Sequence, residues 1–182
     1  TEKIITRLDL SSHHLIYARW ILRSFFTKKY FQSIEVDKKY FLFCLHCQPE
    51  KSTNIDAPKY IDQIKVIEEI CKYLPKNIYL YVKEHFHMDG KRRSSFFKKL
   101  KKINNVKLIS PYADQFKLLK NSEGIITITG TIGLESAFFG KPYFCYGESI
   151  FSNMCGIVDD KDINIFIQNC LIGHYKKEQF IN

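Results

Sequence analysis

This sequence is short of several things, and each shortage removes a class of protein. Among its 182 residues there are only one tryptophan, two methionines, five prolines and eight glycines. So little proline and glycine excludes a collagen-like or flexible-linker composition, and neither an internal repeat nor a low-complexity stretch is present. No run approaches the roughly 20 apolar residues that would span a bilayer. The first 20 residues carry charges throughout, so a secretory signal is not visible either. Neither a Walker glycine loop nor a G-x-G-x-x-G turn is found, which leaves ATP or NAD without a specific indication.

The six cysteines include a single close pair, Cys44-x-x-Cys47. A zinc site wants four ligands and no second CxxC exists, so the pair reads as two small residues ending a buried strand, in a reduced cytoplasmic protein, and no metal site is expected. The chain begins at Thr1 rather than at a methionine. That leads to the expectation of an excised domain, a processed form or an engineered piece.

What is present is a composition that can fold. Apolar residues make up 45% and charged ones 26%, and a chain of this length buries roughly 70% of its unfolded surface. With 28 Lys and Arg against 19 Asp and Glu, the net charge is +9, a field that attracts phosphates, nucleotides or acidic membranes.

The hydrophobic pattern alternates between two periods. Tyr40 to Cys47 is a nearly continuous apolar run, as in a strand buried on both faces. From Pro58 the spacing becomes helical (Ile61, Ile64, Ile67, Ile70, Cys71, Leu74) until Pro75. Strands are then expected at 78–82, 106–109, 124–128 and 142–146, and helices at 94–103, 114–120, 131–139 and 160–172. Five strands separated by helices predict an α/β fold, a doubly wound, mostly parallel Rossmann-like sheet over residues 36–182. Residues 1–35 stand outside the alternation and are read as a helical connector or packing segment, capped by Ser11 or Ser12, with Leu15, Ala18, Leu22 and Phe25 along one side.

In such sheets ligands bind where the strands end, which singles out three loops. After the fourth strand comes Thr129-Gly130-Thr131 and then a helix carrying Glu135. First-turn amides attract phosphate, and the carboxylate is placed for ribose hydroxyls; a plain glycine turn with a solvated Glu is the alternative. After the second strand, Lys83 and His85 alternate to one side, as a cation and an imidazole suited to a leaving phosphate. Here the alternatives are a solvated loop histidine or a His85-x-His87 metal pair. After the first strand, Gln48, Glu50, Ser52 and Thr53 leave a buried strand toward the same edge. The run 91–102 holds seven of the positive charges. Phe96, Leu100 and Ile103 give it the stripe of an amphipathic helix, so its lysines form a wet face better suited to an anionic membrane surface than to nucleic acid.

Taken in order, Leu45-His46-Cys47-Gln48-Pro49-Glu50-x-Ser52-Thr53, Tyr81-Val82-Lys83-Glu84-His85, Ile128-Thr129-Gly130-Thr131-x-Gly133-Leu134-Glu135-x-Ala137 and Gly140-Lys141-Pro142 resemble the capsule polysaccharide biosynthesis family over residues 40 to 155. That family includes transferases that add Kdo, a 3-deoxy-octulosonic acid, from CMP-Kdo. The resemblance implies the C-terminal, donor-binding half of a bacterial GT-B glycosyltransferase, and the lysine face adds the expectation of peripheral attachment of a cytoplasmic enzyme at the inner membrane face. The nucleotide sugar is then a substrate rather than a cofactor, and a glycan or glycolipid acceptor is held by an N-terminal domain. By the same resemblance Lys83 and His85 lie near the donor phosphates, Thr129, Gly130 and Thr131 form the glycine turn, Glu135 is the nucleotide-side carboxylate, and Gln48 and Glu50 enter the cleft. Phe86 stands where the family usually has proline, and Cys47 where an aromatic often precedes Gln-Pro-Glu. No catalytic base is assigned within the chain. Transfer of a polyol phosphate from a CDP donor, sugar epimerisation on a related scaffold, and a non-catalytic interaction domain of the same fold are the competing expectations.

Overall fold

A computed structural model describes residues 2–35, 37–48, 57–147 and 162–175. Five strands, β1 (Tyr40–Cys44), β2 (Tyr79–Lys83), β3 (Val106–Ile109), β4 (Gly124–Thr127) and β5 (Tyr143–Cys145), alternate with helices. The helices are α1 (Glu2–Thr27), α2 (Gln63–Tyr73), α3 (Ser94–Leu100), α4 (Gln115–Asn121), α5 (Ile132–Phe138) and α6 (Ile163–Leu171). The strands form one parallel sheet in the order β3-β2-β1-β4-β5. Every strand and helix expected after residue 36 is found, with ends that shift by a few residues.

The central strand shows why the run at 40–47 is apolar without alternation. Phe41 and Phe43 point into a core shared with Val66, Ile67 and Ile70 of α2, Phe97 and Leu100 of α3 and Phe166 and Ile167 of α6. Tyr40 and Leu42 point the other way, toward Leu118 and Leu119 of α4, Ile132 of α5 and Tyr143. A strand covered by helices on both faces must be apolar on both. The Tyr40 ring stacks on Tyr81 at 4.0 Å between centroids. Its hydroxyl donates to the Leu118 carbonyl at 2.8 Å, which satisfies the polar end of a buried ring.

Short side chains start the helices. Asp62 accepts from the Ile64 and Lys65 amides, Asp114 from Lys117 and Asp162 from Asn164, each satisfying amides that have no partner within the helix.

The N-terminal segment departs from the sequence reading at its start. Helix α1 is continuous from Glu2 to Thr27, so Ser11 and Ser12 lie within it and neither starts it. No glycine or proline interrupts this stretch, and nothing local ends the helix. The stripe of Leu15, Leu22 and Phe25 is exposed. The helix meets the domain instead along Trp20, Arg23, Ser24 and Thr27, where Ser24 donates to Asp89 at 2.8 Å and Arg23 to the Lys91 carbonyl at 2.9 Å. Polar contacts decide the docked side, a choice that an apolar count does not anticipate. Among the described residues no helix is long and apolar enough to cross a membrane.

Candidate functional site

The chain leaves β1 toward β2 on one side and reaches β4 on the other, so the sheet's winding reverses between β1 and β4. The loops beyond their carboxyl ends diverge there and leave a crevice. A cavity of about 320 Å³ occupies this place, lined from β1 by Cys44, Leu45 and His46, from the loop after β2 by His85, and from α4 by Gln115. Thr127, Thr129, Gly130, Thr131, Ile132 and Glu135 complete its wall from β4 and α5.

The Thr-Gly-Thr turn is built by close packing. The Thr127 hydroxyl accepts from the Gly130 amide at 3.0 Å and lies 3.3 Å from Nε2 of His46. A Cβ on Gly130 would fall 2.7 Å from that hydroxyl oxygen, and one on Gly133 would fall 2.5 Å from the Tyr143 ring. Glycine at these two positions lets the turn close over His46 and lets α5 lie against β5. Glu135 comes one turn later, and its carboxylate accepts from Nε2 of Gln115 at 2.6 Å. That bond holds the carboxylate at the cavity wall.

His85 follows β2. Its Nδ1 accepts from the His87 amide at 3.2 Å, so the neutral ring carries its proton on Nε2 and offers a donor there. Lys83 does not join it at the wall. Its ammonium is buried and donates to the Pro111 carbonyl at 3.1 Å, tying β2 to the loop after β3. Gln48 lies beside the cavity, donating to the Ile61 carbonyl at 2.6 Å and accepting from Arg92 at 3.3 Å. Glu50, Ser52 and Thr53 lie outside the described residues. The structure thus gathers His85, Thr129, Gly130, Thr131 and Glu135, and sets Lys83 and Gln48 back from them.

Besides Gln115, the residues His46, Gln63 and Arg92, absent from the sequence-based site, build or support its wall. His46 is buried at the cavity wall, its amide donates to Oε1 of Gln63 at 2.8 Å, and its carbonyl accepts from Nε2 of the same side chain at 3.2 Å. Arg92 pairs with Glu84 behind the wall. A histidine inside an apolar run was the available signal for the first; nothing local marks Gln63 or Arg92. Burial raises the Glu84 carboxyl above its ordinary value, opposed by Arg92 and by the His85 amide. Burial also pushes the Cys44 thiol up to about 12, with Lys83 opposing and Glu135 adding to the shift. Cys44 and Cys47 are free thiols. Among the described residues, no three metal-ligating side chains come together.

A wider cavity of about 490 Å³ lies between α1 and the 86–91 turn, bordered by the exposed rings of Tyr17, Phe25, Phe86 and Tyr112.

An all-parallel sheet wound in this order, with a polar crevice at its switch point, defines a Rossmann-like α/β protein. Residues 8–179 match the family model described as capsule polysaccharide biosynthesis protein, and the chain belongs to that family. The match reaches well beyond the 40–155 span in which the motifs lie. Among solved structures it is similar to KpsC of Thermosulfurimonas dismutans, a beta Kdo 2,7 transferase (17% identity, TM-score 0.55, covering 82% of this chain and 47% of that one). It is also similar to MnaA of S. aureus, solved with UDP (19%, 0.54, 85% and 41%), and to the UDP-GlcNAc 2-epimerase of Methanocaldococcus jannaschii (22%, 0.50, 79% and 40%). At these identities the likeness concerns the fold, and the chain spans less than half of each of these proteins. No curated protein matches it.

Proposed function

We propose that this chain is the donor-nucleotide-binding half of a glycosyltransferase of GT-B type, acting in capsule or surface polysaccharide synthesis with CMP-Kdo as its donor. The observation that carries the reading is the switch-point cavity, where His85, the Thr129-Gly130-Thr131 turn and the Gln115-held Glu135 face one space. Membership of the capsule family supports it, as does likeness in fold to a Kdo transferase and to a protein solved with UDP.

The chemistry follows from the donor and acceptor inventory. The Nε2 proton of His85 and the hydroxyls of Thr129 and Thr131 are hydrogen-bond donors for phosphate oxygens. When the bond between sugar and phosphate breaks, negative charge grows on the phosphate, and donors already in place stabilise it. Glu135 accepts from ribose hydroxyls, and Gln115 keeps its carboxylate from turning away. Lys83 acts at one remove, by holding the end of β2. The acceptor and the base that activates it belong to a further domain of the whole enzyme.

Six exposed cations, Lys91, Arg93, Lys98, Lys99, Lys101 and Lys102, flank and cover α3, while Phe97 and Leu100 face the core. Cations near an anionic bilayer each contribute about 1 kcal/mol, which supports peripheral attachment of the cytoplasmic enzyme to the inner membrane face.

A thermal-shift comparison of CMP, CDP, UDP and GDP tests the donor site. CMP at 100 times its dissociation constant should add about 2.7 kcal/mol of stability. Preference for CDP would favour a polyol-phosphate donor, and absence of any shift in folded protein overturns the reading. Product analysis with the whole enzyme then separates a new glycosidic bond from a phosphodiester or an inverted stereocentre.

A further inference from the structure

Arg92 sits in the most basic stretch of the sequence, yet it is withdrawn from the wet face. Its side chain is 5% exposed and that of its partner Glu84 is 1%, with Nε of Arg92 2.9 Å from Oε2 of Glu84. The remaining donors of the guanidinium reach across to β1: one nitrogen donates to the His46 carbonyl and another to Oε1 of Gln48 at 3.3 Å. Glu84 reaches forward along β2, and its Oε1 accepts from the His85 amide at 2.7 Å. One ion pair therefore holds the backbone of the two histidines that line the cavity from neighbouring strands.

A buried ion pair contributes little net stability, because desolvation offsets attraction, and apolar replacement of both partners is often neutral. Its use must lie elsewhere. The contacts demand an arginine in particular, since a planar fork with five donors can meet a carboxylate, a carbonyl and an amide at once. A lysine, as a point charge, meets one or two. Gln63 adds to the arrangement from α2 by pairing with both the amide and the carbonyl of His46.

We propose that Arg92 and Glu84 are positioning residues, which lock the exits of β1 and β2 in the one relation that points His46 and His85 together into the donor cavity. The assignment rests on the reading of that cavity as the nucleotide site. Neither residue is catalytic, because neither lines the cavity; each acts through a histidine.

The test compares the full chain with Arg92→Lys and with the apolar double variant Arg92→Met/Glu84→Met. Melting curves report folding, imidazole nitrogen–proton spectra of ¹⁵N-histidine-labelled protein report ring environment, and titration with CMP reports binding. The double variant should melt cooperatively while the His46 and His85 signals move, those of the remote His13 and His174 stay, and CMP affinity falls roughly tenfold or more, as expected when contact groups are misplaced by an ångström. Arg92→Lys keeps the charge and should show the same shifts in smaller measure; it decides the matter if the double variant does not fold. Folded variants with His46 and His85 signals at wild-type positions overturn the proposal. Failure of the wild type to bind CMP overturns the donor-site reading instead, and the imidazole spectra still decide whether the pair orients the two rings.

Discussion

Nε2 of His46 lies 3.3 Å from the hydroxyl oxygen of Thr127, bridging the ends of β1 and β4 across the point where the sheet reverses its winding. The same hydroxyl accepts from the Gly130 amide at 3.0 Å. Thr127→Val keeps the shape and removes the hydroxyl. That takes the acceptor from the Gly130 amide and one contact from the ring nitrogen, which also accepts from the Thr129 amide at 3.5 Å. A loss of about 1–3 kcal/mol in urea unfolding is expected, together with weaker binding of CMP. Thr127→Ser restores the oxygen and should recover most of both.

Gly133 and Gly173 separate packing from backbone strain. A Cβ at Gly133 would lie 2.5 Å from the ring of buried Tyr143, whereas Gly173, at φ +70°, has no atom within 4 Å of the added carbon. Gly133→Ala should lose about 1–3 kcal/mol by overpacking and weaken nucleotide binding, because α5 carries Glu135. Gly173→Ala should lose about 1–2 kcal/mol from left-handed backbone strain and leave CMP affinity alone. Urea titration and CMP binding on both variants check this.

Alkaline pH should unfold the protein more readily than the ordinary surface charge would. Burial lifts the thiols of Cys44 and Cys71 from 9.0 to about 12, and that of Cys145 to about 11. Between the unfolded and folded values the unfolded chain has released protons that the folded chain retains. The stabilisation is therefore whole below pH 9 and is lost as pH rises through the folded values, by up to about 1.4 kcal/mol per pH unit for each thiol. Urea midpoints from pH 8 to 11 should fall, less steeply in Cys44→Ala, and iodoacetamide should leave Cys44 unmodified in folded protein at pH 8.

The lysine face can be tested apart from the cavity. Lys98→Glu/Lys99→Glu/Lys102→Glu replaces exposed cations of α3 and its flank, away from the switch-point cavity. Co-sedimentation with phosphatidylglycerol vesicles should drop sharply, and that of the wild type should weaken as salt is raised. The CMP thermal shift should not change. Equal binding of both proteins to the vesicles removes the membrane assignment.

Apolar periodicity alone located β1 to β5 and every helix after residue 36, because a doubly wound sheet needs strands that are apolar on both faces and helices that are apolar on one. It gave the apolar stripe of α1 but not the docked side, which hydrogen bonds to Asp89 and Lys91 set. The candidate site was legible where chemistry follows a strand directly, as with His85 and with the turn at Thr129. Lys83 followed the same rule: alternation gave its side of the strand, and the Pro111 carbonyl within reach decided its contact.

The sequence by itself determined the elements, their order, the family and the loops that meet at one edge of the sheet. These depend on spacing along the chain, which hydrophobic burial and turn chemistry read locally. Only the tertiary structure decided that β4 lies beside β1, that Gln115 holds Glu135, and that Arg92, 46 residues beyond His46, reaches back to its carbonyl. Such partners are set by long-range closure, and a buried arginine looks the same in a sequence as the solvated ones beside it.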